Sequence, residues 1–146
     1  MNPFTLLKED HKKVKALFKE YEAAGDKAFK KKQDLSDEIF KELEVHTTVE
    51  EEIFYPKIKE TADKEGQELV LEGYEEHLIV KRLMEELKGM NVHDEKYDPK
   101  FKVLMENVKH HIEEEEGEMF PKAKKGLDGE AEELGEEMEV KKEELS

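Results

Sequence analysis

The stretch His46-Thr-Thr-Val-Glu50-Glu-Glu-Ile-Phe-Tyr-Pro56 returns 65 residues later as His111-Ile-Glu-Glu-Glu115-Glu-Gly-Glu-Met-Phe-Pro121, with His, Glu and Pro at identical offsets. A second pair repeats at nearly the same interval: Asp10-His11-Lys-Lys-Val14-Lys-Ala-Leu17-Phe18 and Glu76-His77-Leu-Ile-Val80-Lys-Arg-Leu83-Met84. Self-similarity at a fixed period marks a duplicated supersecondary unit. Each unit carries an acidic-His element followed by a His-x-x-x-Glu element, so the chain reads as two helical hairpins.

Working outward from these motifs, apolar residues recur at alternating steps of three and four, the seam of an amphipathic helix. Phe4, Leu7, His11, Val14, Phe18 and Tyr21 form the first seam, widened by Leu6 and Leu17. Asn2 and Pro3 are the residues that open a helix, and Gly25 is placed to stop it. The second seam is Leu35, Ile39, Leu43, His46, Glu50 and Ile53, from near Asp34 or Ser36 toward Pro56. The third is Val70, Tyr74, His77, Val80, Met84 and Leu87, ending at Gly89. The fourth is Phe101, Leu104, Val108, His111, Glu115 and Met119, opened by Asp98 and Pro99 and bent or ended near Pro121. No segment alternates with period two for long. The expected fold is all-α, an antiparallel up-down-up-down four-helix bundle over residues 1–126.

Composition alone points elsewhere. Only 36% of the 146 residues are hydrophobic, 45% are charged and the net charge is −15; such a balance approaches intrinsic disorder. Placement overrides it, because the few apolar residues fall almost wholly on the seams. Residues 127–146 form an acidic C-terminal tail that keeps Leu127, Ala131, Leu134, Met138 and Leu145 at helical spacing. Two readings stay open for it: a short amphipathic helix lying on the bundle or on a partner chain, or a frayed, solvated tail weakened by Gly129 and Gly135. No apolar run is long enough to span a membrane, and no signal-peptide pattern is present, so a cytoplasmic location is expected. The absence of Cys excludes disulfides and thiolate chemistry. The acidic surface argues against nucleic acid as a partner. No Ser-His-Asp constellation or phosphate-cradling glycine loop supports a hydrolase or a kinase.

Four histidines and two glutamates therefore stand where a core calls for leucine. Burying them is costly unless they are paired or bind a metal. His46 and Glu50 are one turn apart on one face, as are His111 and Glu115. In an up-down bundle all four imidazoles fall at one level, roughly 17–20 Å from the end that carries both hairpin links, at ~1.5 Å per residue. This set of nitrogen and oxygen donors suits a pair of borderline or hard metal ions: iron and manganese fit best, and zinc is not excluded. Position i−3 from the four histidines is Lys8, Leu43, Tyr74 and Val108, so the Glu-x-x-His motif of ferritin-like proteins is missing.

The ordered set of Asp-His, His-x-x-x-Glu before Phe-Tyr-Pro, Glu-His, and His-x-x-x-Glu before Met-Phe-Pro resembles the hemerythrin-like (HHE cation-binding) family, over residues 1 to about 125. The resemblance implies a non-haem di-iron centre that binds O2, NO or peroxide for sensing, storage or redox detoxification. Carried over by position, His11, His46, His77 and His111 would be terminal ligands, and Glu50 and Glu115 bridges. The oxygen-carrying members resemble a larger set, with two His one turn apart on the third helix and a terminal Asp. Here Gly73 and Lys81 flank His77 at one turn, and Glu115 lies at i+4 from His111. Reversible oxygen transport is thereby put in doubt, and coordination positions are left for solvent or another side chain. Tyr74 is the first candidate for that extra ligand, against the plainer reading of a core tyrosine. A non-redox metal-binding or iron-buffering protein is the alternative function. A third reading has metal loading or gas binding change how residues 127–146 dock, with an electron donor or a second copy of the chain as partner.

Overall fold

The computed structural model describes residues 1–146. It is all-helical, and the first helix, α1 (Pro3–Ala23), starts as its sequence dictates. Asn2 Oδ1 accepts the backbone N–H of Phe4 at 2.8 Å, and Pro3 occupies the first turn. α2 (Phe29–Val49) begins before the expected Asp34 or Ser36, because Phe29 and Lys32 pack at the link end. It continues through a π-turn (Glu50–Phe54) into α3 (Tyr55–Thr61). α4 (Lys64–Lys88) is capped by Asp63, whose carboxylate accepts from Gly66 N at 2.8 Å, and it ends at Gly89. α5 (Tyr97–Glu114) likewise passes through a π-turn (Glu115–Met119) into α6 (Phe120–Gly126). These four long helices form the bundle.

The two π-turns are a local consequence of Pro56 and Pro121. A proline inside a helix removes a donor and its ring crowds the carbonyl four residues back. Widening the preceding turn by one residue relieves both, so the helices neither stop nor break sharply there. Both π-turns begin at a seam glutamate, Glu50 or Glu115.

The core is divided along the bundle axis. One apolar cluster, with Phe18, Leu43, Met84, Phe101 and Leu104, fills the end that carries the two hairpin links. The other, with Phe4, Phe54, Tyr55, Ile58 and Phe120, fills the opposite end. Between them lies a layer of buried His11, His46, Glu50, His77, His111 and Glu115.

Of the two readings for the tail, the helical one describes the structure: α7 (Ala131–Leu145) docks on this same chain's bundle. Leu127, Leu134 and Met138 join the second core cluster. Gly135 makes the close approach that docking needs, since a Cβ there would stand 1.7 Å from the Met1 carbonyl oxygen. No helix is long and apolar enough to cross a membrane.

Candidate metal centre

α1 supplies His11 and α4 His77 at mid-helix, and α2 supplies His46 and α5 His111 in their last turns before the π-turns, all four buried. Glu50 and Glu115 open the two π-turns, and both are completely buried. Two overlapping tetrads result. His11, His46, Glu50 and Glu115 bring donor atoms within 4.8 Å of one another, and so do Glu50, His77, His111 and Glu115. All six residues singled out by their seam positions are brought together, and the two carboxylates belong to both tetrads.

The outer nitrogen of every imidazole meets a carboxylate. His11 Nδ1 pairs with Glu116 at 2.6 Å, His46 Nδ1 with Asp10 at 2.9 Å, His77 Nδ1 with Glu51 at 2.7 Å and His111 Nδ1 with Glu76 at 2.5 Å. A carboxylate on Nδ1 keeps the proton there and turns the Nε2 lone pair inward, the arrangement of a metal-ligating histidine. The pattern follows from the repeat. Each outer carboxylate is the chain neighbour of a seam residue, and it serves a histidine on another helix.

Four of the inner atoms are left without partners. His11 Nε2, His46 Nε2, Glu50 Oε2 and Glu115 Oε1 are buried and make no hydrogen bond. His11 Nε2 stands 3.2 Å from Glu115 Oε1, and His46 Nε2 3.2 Å from Glu50 Oε1, without hydrogen-bond alignment. Lone pairs facing each other in a dry core require positive charge between them. The titration behaviour has the same cause. Burial alone would lower the His46 imidazole, yet the Glu50 and Asp10 carboxylates push it up to about 10. Glu50 is held well below the usual carboxylate range, burial being outweighed by His46 and the hydrogen bonds around it. The cluster is built to hold cationic charge, and imidazole nitrogens with carboxylate oxygens fit a transition metal.

A residue that periodicity missed completes the layer. Tyr55 OH donates to Glu115 and lies 3.2 Å from His111 Nε2, 3.3 Å from His77 Nε2 and 3.4 Å from Glu50 Oε1. Tyr74, the expected candidate, is outside the cluster: its hydroxyl donates to the Glu51 carbonyl, and its ring packs edge-on to Tyr55. In a regular helix, position i+5 from Glu50 would point away from the seam; the π-turn rotates Tyr55 back toward it. The available signal was Pro56 immediately after Tyr55. The equivalent position in the second half is Phe120. Accordingly His77 stacks on Tyr55 at 5.2 Å, while His11 stacks on Phe120 at 6.1 Å. The remaining two histidines, His93 and His110, are exposed and lie outside the layer.

On the link side of the four imidazoles, Val14, Leu43, Val80, Val108 and Ile112 line a small void. It offers ≈ 20 Å³ to the centre of a water-sized molecule, enough for one water or one diatomic.

Comparison with known proteins agrees with this geometry. Residues 2–123 match the model of the hemerythrin HHE cation-binding domain. The chain is 30% identical over 131 residues to a protein of Nostoc sp. (strain PCC 7120) named DNA nickase, covering 89% of this chain and 36% of that one. It is 28% identical over 119 residues to an uncharacterized hemerythrin-like protein of Schizosaccharomyces pombe, covering 82% of this chain and 58% of that one. The chain thus spans only part of the length of both relatives. The crystal structure of a hemerythrin HHE cation-binding domain-containing protein from Mycobacterium kansasii superposes with a TM-score of 0.85 at 26% identity, over 99% of this chain and 87% of that chain. With the HHE model spanning nearly the whole bundle, and four buried histidines and two glutamates converging in its middle layer, the protein belongs to the hemerythrin HHE cation-binding domain family.

Proposed function

We propose that this protein holds two iron ions, one in each tetrad, and binds a small diatomic or peroxide ligand (O2, NO or H2O2) for sensing, storage or redox detoxification. The observation that carries the reading is the set of unpartnered inner atoms of His11, His46, Glu50 and Glu115, shared in part with the His77 and His111 tetrad. Bound there, iron would supply electrons and a place for a small ligand to bind. Glu50 and Glu115 offset the cations' charge and, belonging to both tetrads, join the two positions. Asp10, Glu51, Glu76 and Glu116 hold the Nδ1 protons and so aim each Nε2 inward. Tyr55 adds a hydroxyl beside His77 and His111 that has no counterpart beside His11 and His46. The two positions are therefore unequal, and the one held by His11 and His46 has fewer protein donors.

The apolar void favours small ligands over a purely metal-buffering role. Val14, Leu43, Val80, Val108 and Ile112 give it an apolar wall opposite the four imidazoles and Thr47, so an uncharged diatomic fits between that wall and the metal layer. The net charge of −15 supports small-molecule rather than nucleic-acid partnership, and a cytoplasmic setting belongs to the same reading.

The test is anaerobic loading with Fe(II), quantification of metal, and separate addition of O2, H2O2 and NO with optical spectra. Two irons per chain and a new charge-transfer band with at least one ligand are expected. No iron retained, or two irons whose spectra stay unchanged with all three, overturns the reading.

A further inference from the structure

The helix outside the repeat reaches into the metal layer. Lys142 on α7 ion-pairs with Asp10 Oδ1 at 2.6 Å, while Asp10 Oδ2 holds His46 Nδ1 at 2.9 Å. A continuous chain of charged hydrogen bonds thus runs from α7 through α1 to a histidine of α2.

Among the four outer carboxylates, Asp10 stands apart. Its side chain is 4% exposed, against 22% for Glu51, 26% for Glu76 and 33% for Glu116. The three glutamates can satisfy their remaining lone pairs with water. Asp10 cannot, because α7 lies over it; its second oxygen depends on Lys142, and no other cation reaches it. A buried carboxylate with one partner removed is strongly destabilised and relaxes toward solvent or away from its histidine. Only Glu51 has comparable help, from Lys81 at 2.8 Å, and that lysine sits on the same helix as His77, within the bundle itself. The His46 side of the layer therefore owes its alignment to an element that the duplicated bundle does not contain.

Resting on the two-metal reading above, we propose that α7 is a working wall of the metal centre. Lys142 acts as a positioning residue that holds Asp10, and through it His46, so that the metal position of His11 and His46 is complete only with α7 docked. Further attachments keep α7 in register: Lys41 Nζ donates to the Leu145 carbonyl at 2.9 Å, Leu134 and Met138 are buried, and Gly135 lies against the Met1 backbone. Outer carboxylates orient ligands and their loss costs about 10–100-fold in metal affinity. Losing the lysine that holds such a carboxylate is expected to act in the same direction and range.

The experiment uses the full chain as wild type, K142M, K142R, D10N and the K142M/D10N double variant. Each is titrated anaerobically with Fe(II) alone, and stoichiometry and both dissociation constants are read by equilibrium dialysis. Lys142 is partly exposed, so the variants are expected to fold, and far-UV circular dichroism of the metal-free chains checks this. Expected are two tight ions in wild type and K142R, one tight ion and a second weakened about 10–100-fold in K142M, the same defect in D10N, and no further loss in the double variant. In H11A, which retains the His77 and His111 position, adding K142M is expected to change nothing. Wild-type affinities in K142M, or equal weakening of both ions, overturns the proposal while leaving the metal centre intact. A wild-type chain that takes up no iron overturns the metal reading and this proposal with it.

Discussion

Tyr55 and Gly73 are complementary: a Cβ on Gly73 would stand 2.9 Å from the Tyr55 hydroxyl and 3.0 Å from its ring carbon Cζ. Gly73 lies one turn before His77, one of the two positions from which a second imidazole on this helix could have reached the layer. The space is taken instead by a phenol from the neighbouring helix. G73A should press on a fully buried ring and cost about 1–2 kcal/mol, the overpacking penalty exceeding the better helix propensity of alanine. Urea denaturation measures it. Adding Y55F, which removes the nearest atom, should recover part of the loss; a G73A chain as stable as wild type contradicts the close fit.

Replacing Tyr55 alone separates it from Tyr74. Y55F leaves Glu115 without its hydroxyl donor, for an expected loss of about 1–3 kcal/mol in the metal-free protein. If Tyr55 exchanges its hydrogen bond to Glu115 for a coordination position in the oxidised, iron-loaded protein, a phenolate-to-iron absorption is expected that Y55F lacks and Y74F keeps. Retention of that band in Y55F would remove Tyr55 from the centre.

The shared carboxylates predict an asymmetry in metal loss. H11A should reduce iron content from two ions to one, since its tetrad is only half of the site. E50A should abolish both, because Glu50 belongs to both tetrads. Metal analysis after desalting decides between this outcome and two independent sites.

Metal removal should lower stability. A ligand at ~100 times its Kd stabilises the folded state by about 2.7 kcal/mol per site, so two sites contribute about 5 kcal/mol. For a chain of this length that corresponds to a Tm roughly 10–20 °C lower after chelation, measurable by differential scanning calorimetry.

Far from the metal layer, Asp98 ties three helices together at the link end. It accepts from Tyr21 OH at 2.6 Å and pairs with the buried Lys32 at 2.9 Å. Burial raises the Asp98 carboxyl, but these donors outweigh it and hold it below its ordinary 3.8. With its folded value below the unfolded one, its contribution is complete above about pH 4 and is lost as pH falls through the folded value. Because the Asp98 side chain is half-exposed and screened by solvent, D98N should destabilise by only about 0.5–1 kcal/mol at pH 7, and the difference should narrow below pH 4. Urea midpoints of both proteins at a series of pH values test it.

The sequence by itself determined the helices, their number in the bundle and the six His and Glu residues of the inner layer, because each rests on a local rule: step-of-three-or-four spacing, one-turn pairing of His with Glu, and a duplicated register. Tertiary structure decided three things that no local rule reaches. Tyr55 enters the layer, and Tyr74 leaves it, because π-turns at Glu50 and Glu115 reset a helical phase that periodicity assumes uniform. The acidic neighbours Asp10, Glu51, Glu76 and Glu116 become partners of histidines on other helices, and which helix is adjacent is a property of packing rather than of sequence distance. α7 could have covered a partner chain equally well; it folds onto its own bundle because Leu134, Met138 and Lys142 find, on that surface, apolar contacts and a buried carboxylate at matching heights.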